Sequence, residues 1–211
     1  MQNLCKSFGS VKVIDDFTAT FSTGITALVG KNGVGKSTLA RMVVGAERPS
    51  SGNIVFVSAE ETSFPGRNAL SSIGWLPQEF GYPPRLRVQD FLRYAAWLKG
   101  VETSRLPSCM KRVDEFFSLS TLFPKRMGDL SGGQLRRVGL AAAVAHEPTF
   151  LVLDEPTNAL DIDHKDALIE YLESDSIKPP VVILITHMES DVTRLASQVM
   201  TLTFPDRTNP E

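Results

Sequence analysis

Gly30-Lys31-Asn32-Gly33-Val34-Gly35-Lys36-Ser37-Thr38 stands between an apolar run, Ile25 to Val29, and a stretch of helical character, Leu39 to Val44. A strand, a glycine-rich loop and a helix in that order form the setting in which G-x-x-x-x-G-K-[ST] grips phosphate. Gly30, Gly33 and Gly35 reach backbone angles closed to residues with a Cβ, so the loop, Asn32 included, can aim successive N–H groups inward at phosphate oxygens. Lys36 is then placed to reach the β- and γ-phosphates and Ser37 to ligate Mg²⁺. The N-terminus of the helix that follows Thr38 adds its partial positive charge. The loop suits a nucleoside triphosphate.

With 211 residues, 42 % of them hydrophobic, the chain has enough material for one substantial α/β domain and too little for two of ordinary size. A net charge of −2 with dispersed Lys and Arg gives no basic footprint, so nucleic acid is not an expected partner. Cys5 and Cys109 are too few for a disulfide framework, which points to a reducing compartment. The longest apolar runs, such as Leu140 to Ala145 and Val181 to Ile185, fall far short of the ~20 residues of a membrane-spanning helix, and the N-terminus carries no signal-peptide pattern. Work at a membrane would require a partner that spans it.

Val11, Val13, Phe17 and Phe21 are spaced like strand residues interrupted by Asp15-Asp16, which predicts a small β layer ahead of the loop. Pro49 to Asn53 reads as a turn and Ile54 to Val57 as a strand of a hairpin excursion; Ile73 to Leu76 reads as a buried strand stopped by Pro77. From 81 to 128 the spacing becomes helical, around Val88, Phe91, Leu92 and Ala95 and again around Met110, Val113, Phe116 and Phe117. Regular alternation then follows. Helices are expected at Gln134 to His146, Lys165 to Leu172 and Glu189 to Ala196, with strands at Phe150 to Leu153, Val181 to Ile185 and Val199 to Thr203. The pattern predicts an α/β fold with a mainly parallel sheet covered on both faces. The tail from Pro205 is expected to fray, and His146 and His164, which match no motif, are expected at the surface.

Leu151-Val152-Leu153-Asp154-Glu155 is an apolar strand ending in two carboxylates, at the sheet edge where open α/β sheets bind ligands. Beside a phosphate loop the pair reads as Asp154 for the metal and Glu155 for the general base that activates water.

With Leu130-Ser131-Gly132-Gly133-Gln134, followed by Leu135-Arg136-Arg137-Val138, and Asp154-Glu155-Pro156-Thr157-Asn158-Ala159-Leu160-Asp161, the chain resembles the ATP-binding cassette family over nearly its whole length. The resemblance implies a P-loop NTPase fold with a mainly parallel sheet, a small antiparallel β layer on the N-terminal side and a helical subdomain at about 80–128 inserted into a nucleotide-binding core of about 1–79 and 129–211. Gln78 matches the family's Q-loop glutamine, a contact for Mg²⁺ or water; Asp161 matches its D-loop aspartate and His187 its switch histidine, a γ-phosphate contact. Phe8 stands where the family places an aromatic that stacks on adenine. Ser131, Gly132, Gly133 and Gln134 would act on the ATP held by a second cassette, so a dimer is implied.

The chain begins almost at Phe8, where cassettes carry a short strand first, so that strand is expected to be missing; the hairpin that often follows Val199 to Thr203 is also expected to be absent. The resemblance implies a Mg²⁺-dependent ATPase subunit of a transporter, exporter-like, at the cytoplasmic face of the cell membrane and bound to a separate transmembrane permease. The alternative is a soluble cassette ATPase acting as a mechanical clamp, which in its tandem or repair forms would carry a second motif set or a long coiled coil. Neither stands in this sequence. Phe80, Tyr82, Leu86, Phe91 and Trp97, rimmed by Arg85, Arg87 and Arg93, are expected to include a docking surface for the permease.

Overall fold

The computed structural model describes residues 1–57, 63–174 and 180–203. The expected fraying of the tail from Pro205 and most of the polar stretch 58–63 lie outside the described residues. Ten strands and six α-helices are ordered along the described chain. At the centre are β3 (Gly24–Val29), β7 (Ile73–Leu76), β8 (Phe150–Asp154), β9 (Val181–Ile185) and β10 (Gln198–Thr201). They pair wholly in parallel in the order β10-β3-β9-β8-β7.

Successive strand residues point to opposite faces, and both faces of this sheet are apolar and covered. Leu151, Leu153, Val182 and Leu184 face one core, with α4 (Gly132–Val144) and α5 (Ile162–Glu173) against them. Val152, Ile183 and Ile185 face the other, with Leu39, Met42 and Val43 of α1 (Lys36–Val43). The remaining helix of the alternating part is α6 (Glu189–Leu195).

The strand expected to be missing at the start is present: β1 (Gln2–Phe8) pairs antiparallel with β2 (Val11–Phe17) and with β4 (Ser51–Asn53). Its residues do not alternate in hydrophobicity, and Leu4 alone among them is fully buried, so the strand is held by backbone pairing more than by an apolar face. Asp15-Asp16 does not break β2; the pairing register shifts there, with Asp16 at φ 46 and its backbone N–H on the Cys5 sulfur. Phe21 lies outside the strand. A separate hairpin pairs β5 (Val55–Val57) with β6 (Ser63–Pro65).

Between β7 and α4 lie α2 (Val88–Leu98) and α3 (Leu106–Phe117), which bury Val88, Leu92 and Ala96 together with Val113 and Phe117. The Tyr171 ring of α5 sits 5.3 Å from Phe116 and 5.9 Å from Phe117, and Arg137 donates to the Phe117 carbonyl at 2.8 and 3.0 Å. The α2–α3 pair is thus fastened to the sheet's own helices at one end of α3.

His146 is not a surface residue: both ring nitrogens are buried, and neither has a well-formed hydrogen bond. It follows α4 directly and packs near Lys99, whose Nζ donates to the Leu70 and Ile73 carbonyls at 2.7 and 2.8 Å. Burial first, then the Lys99 charge, lowers its pKa from 6.5 to about 4; the Ile73 carbonyl opposes this least of the three. His164 is half-buried and pairs with Asp161.

A histidine held neutral in the folded protein takes up its proton earlier in the unfolded chain, so stability is full above about pH 6.5 and is lost as pH falls towards about 4. The displacement corresponds to on the order of 3 kcal/mol. Denaturant titration should therefore show His146→Leu losing less stability than the parent protein between pH 7 and pH 4, with the gap confined to that window. An identical pH dependence in the two proteins would contradict the buried, unpaired ring.

Candidate functional site

Because the strands are parallel and in register, their carboxyl ends come level: Leu28 lies opposite Ile185, Ile185 opposite Asp154, and Leu153 opposite Leu76. The segments leaving β3, β9, β8 and β7 carry the phosphate loop, His187, Glu155 and Gln78. They meet in an open cleft of about 510 Å³ lined by Asn32, Gly33, Gly35, Lys36, Ser37, Thr38, Gln78, Asp154, Glu155 and His187. Val13, Asn158 and Ile185 also line it, none of which the motif reading had placed there.

The helix α1 starts at Lys36 from Gly35, whose φ of 113 favours glycine, with no side-chain cap and no acidic residue in its first turn. Its first N–H groups are therefore left for an anion to satisfy. Lys36 is 8 % exposed, and its Nζ donates to the Gly30 and Lys31 carbonyls at 2.7 and 3.1 Å. The ammonium is held by the loop's own backbone, at the place where phosphate oxygens would compete for it.

Asp154, the last residue of β8, is 3 % exposed. Burial raises its pKa, the Ser37 hydroxyl lowers it by hydrogen bonding, Glu155 raises it, and Arg136 and Lys36 lower it. Glu155 turns out of the strand with φ 52, its N–H on the Ile185 carbonyl at 2.8 Å. Its buried Oε2 lies 2.8 Å from His187 Nδ1, although their relative orientation is not that of a hydrogen bond. His187 itself is exposed, whereas the loops on either side are stapled by buried Asp191, whose carboxylate accepts from Thr157 Oγ1 at 2.6 Å and Thr186 Oγ1 at 3.2 Å.

Sequence reasoning also missed Asp191 and Arg136; the Arg136 guanidinium is buried against the carbonyls of Pro77, Gln78, Asp154, Glu155 and Pro156. The position of Arg136 four residues before Leu140 and seven before Ala143, both buried, puts it on the inward face of α4. That periodicity was the available signal.

The remaining expected residues do not line the cleft. Ser131 caps α4, its Oγ accepting from Gln134 N–H at 3.3 Å while Gln134 Oε1 accepts from Ser131 N–H at 3.2 Å. This capping box leaves the Ser131 hydroxyl proton free to donate, and Ser131 and Gly132 are exposed. At Gly133 a Cβ would lie 2.7 Å from the Ala159 carbonyl, so glycine is required by close approach to the loop after Glu155. Asp161 caps α5 through His164 N–H at 3.0 Å. Gly30 contributes its carbonyl to Lys36, and Phe8 lies outside the cleft with Lys6 Nζ 4.8 Å above its ring. The aromatics expected to include a docking surface divide between the core and the exterior. Phe80, Tyr82 and Phe91 pack on the helical core, with the Phe80 ring 5.5 Å from Phe91, while Trp97 is exposed and stacks on Tyr94.

A family model described as "ABC transporter" matches residues 14–158. The Nod factor export ATP-binding protein I of Rhizobium sp. strain N33 is 34 % identical over 198 residues, 93 % of this chain and 65 % of that protein. A probable sulfate/thiosulfate import ATP-binding protein CysA of Chlorella vulgaris is 34 % identical over 211 residues, 96 % of this chain and 86 % of that one. The chain spans 60 to 65 % of the length of the Nod factor export relatives it matches. In fold it is similar to a dimeric bacterial ABC transporter cassette, with a TM-score of 0.79 and 20 % identity over 95 % of this chain and 92 % of that one. With its parallel sheet, its phosphate loop and a match to the family model over more than half its length, the chain belongs to the ABC transporter family.

Proposed function

We propose that the protein is the ATP-binding and ATP-hydrolysing subunit of a membrane transporter, closing as a dimer around ATP to drive a separate transmembrane subunit. The observation that carries this reading is a division of labour. Phosphate loop, Gln78, Asp154, Glu155 and His187 share one cleft, whereas Ser131 and Gly132 are exposed at the start of α4 and do not line it. Such a clamp gains a phosphate to hold when a second cassette presents its cleft, and a dimeric cassette of the same fold supports that arrangement. Asp161, exposed at the start of α5, would face the same partner. Residues 80–128 are proposed as a helical subdomain within a core formed by the rest.

In this mechanism ATP phosphates displace the Gly30 and Lys31 carbonyls from Lys36, and the uncapped N–H groups of α1 satisfy the phosphate oxygens. Glu155 accepts a proton from the attacking water as its oxygen bonds to the γ-phosphorus and the bond to the β-phosphate oxygen breaks, releasing ADP and phosphate. His187, beside Glu155, orients toward the γ-phosphate. Phe8 offers a π-face to the base. Among the described residues no cluster of three or more His, Cys, Asp or Glu could hold a metal unaided. Mg²⁺ nevertheless fits, because it is held by one or two carboxylates together with substrate phosphates, and buried Asp154 beside the Ser37 hydroxyl, with Gln78 lining the same cleft, supplies such donors. When bound, the ion neutralises charge on the phosphate oxygens.

The membrane role rests on the transporter relatives; no helix among the described residues is long and apolar enough to cross a membrane. Relatives of equal identity include an export and an import protein.

Glu155→Gln should keep ATP affinity while hydrolysis falls by at least ~10²-fold, because an amide cannot take the proton from water; calorimetry and steady-state turnover read the two separately, and near-normal turnover would remove Glu155 from the base role. Purification from detergent-solubilised membranes should retain a membrane-spanning subunit. Recovery with no membrane protein, but with ribosomes or nucleic acid, would contradict the transporter reading.

A further inference from the structure

Arg136 is a buried cation whose contacts join two parts of the cleft that are far apart in sequence. Arg136 is 7 % exposed and reaches no carboxylate group among its hydrogen bonds. Nη1 donates to the Pro77 carbonyl at 2.7 Å and the Gln78 carbonyl at 3.2 Å. Nη2 donates to the Asp154 carbonyl and to the Glu155 carbonyl, the latter at 2.6 Å, and Nε to the Pro156 carbonyl at 3.4 Å.

The carbonyls on either side of a Cα belong to the two peptide planes whose rotation defines φ and ψ there. Pro77 and Gln78 carbonyls flank the Cα of Gln78; Asp154 and Glu155 carbonyls flank the Cα of Glu155. Each terminal nitrogen of one guanidinium therefore holds both peptide planes around one cleft residue. At Glu155 this matters further, since its φ of 52 is a left-handed conformation that a side-chain-bearing residue keeps only when its surroundings enforce it.

We infer that Arg136 is a positioning residue that sets the backbone at Gln78 and Glu155 together, so that the directions of both side chains in the cleft are fixed from the helix carrying Ser131 and Gly133. The inference rests on the roles proposed above for those two side chains. A planar fork is required: the guanidinium offers five N–H groups in fixed directions, whereas an ammonium on a flexible stem supplies three that cannot span two pairs of carbonyls at once. Charge alone does not fulfil the role. Burial lowers the pKa of Arg136 to about 10, and the charges of Asp154 and Glu155 oppose that fall.

The test uses the full chain with Arg136→Lys and Arg136→Met, each in the parent and in the Glu155→Gln background, measuring ATP affinity by calorimetry and kcat by phosphate release. Misplacing a catalytic group by about 1 Å costs roughly 10²-fold, so Arg136→Met should lower kcat by at least ~30-fold while the Kd for ATP stays within ~3-fold. Arg136→Lys, which keeps a charge and nearly the volume, should still lose ~10-fold in kcat with affinity unchanged. In the Glu155→Gln background either change should cost less than ~3-fold more, because residues acting as a unit are not additive. Full kcat in Arg136→Lys, parallel loss of kcat and ATP affinity in that variant, or full additivity with Glu155→Gln would each overturn the inference. If Arg136→Met does not fold, Arg136→Lys decides. Wild-type turnover in Glu155→Gln alone would instead overturn the assignment of the base, whichever way Arg136 behaves.

Discussion

The parallel pairing of β3, β9, β8 and β7 puts four chain segments, drawn from residues 29 to 187, at one edge of the sheet. Each strand is apolar on both faces and is buried by helices, which leaves its carboxyl end as the place where polar groups can collect without entering a core. A slip of one residue in any pairing would turn Leu153 and Leu184 to the opposite face and carry Asp154 and His187 out of line with the phosphate loop. Packing and chemistry therefore depend on the same register.

At that edge the hydrogen bonds run mainly through backbone. Lys36 is held by two loop carbonyls, Glu155 by the Ile185 carbonyl, and the segments after β8 and β9 by the Asp191 carboxylate. Arg136 adds the link between the ends of β7 and β8. The side chains that line the cleft are thus directed by interactions made one layer behind them. The face carrying Ser131 and Gly132 is built differently. It is fixed by a capping box and by the close approach of Gly133 to Ala159, and it opens outward.

What was legible in the sequence is local. The phosphate loop announces itself because glycine positions, Lys36 and the following helix are consecutive, and Asp154-Glu155 because an apolar run ends on them; the structure brings both to one cleft with Gln78 and His187. The course of β8 and β9 was readable from continuous hydrophobicity. By contrast β1 has no alternation to read, since its pairing is with β2 and β4 through the main chain. The spacing of Arg136 from Leu140 and Ala143 marks it as inward-facing, but its partners and those of Arg137, carbonyls at the sheet edge for one and at the end of α3 for the other, are remote in sequence. His146 hides for the same reason: its ring is buried and feels the charge of Lys99, which is remote in sequence. The aromatics from Phe80 to Trp97 were close in sequence but are separated by the turn of α2, which sends Phe91 inward and Trp97 out.

The claim on which the account turns is that the cleft is half of a site, completed by Ser131 of a second copy or a similar cassette. Cysteines introduced as Asn32→Cys and Ser131→Cys, in a Glu155→Gln protein with Cys5→Ser and Cys109→Ser, place one thiol in the phosphate loop and one at the signature. Oxidative cross-linking with and without ATP and Mg²⁺ then reads which surfaces meet. The account predicts a covalent dimer that forms with ATP, is absent without it, and requires both introduced cysteines. A link formed within one chain, or a dimer equally abundant without nucleotide, would contradict it.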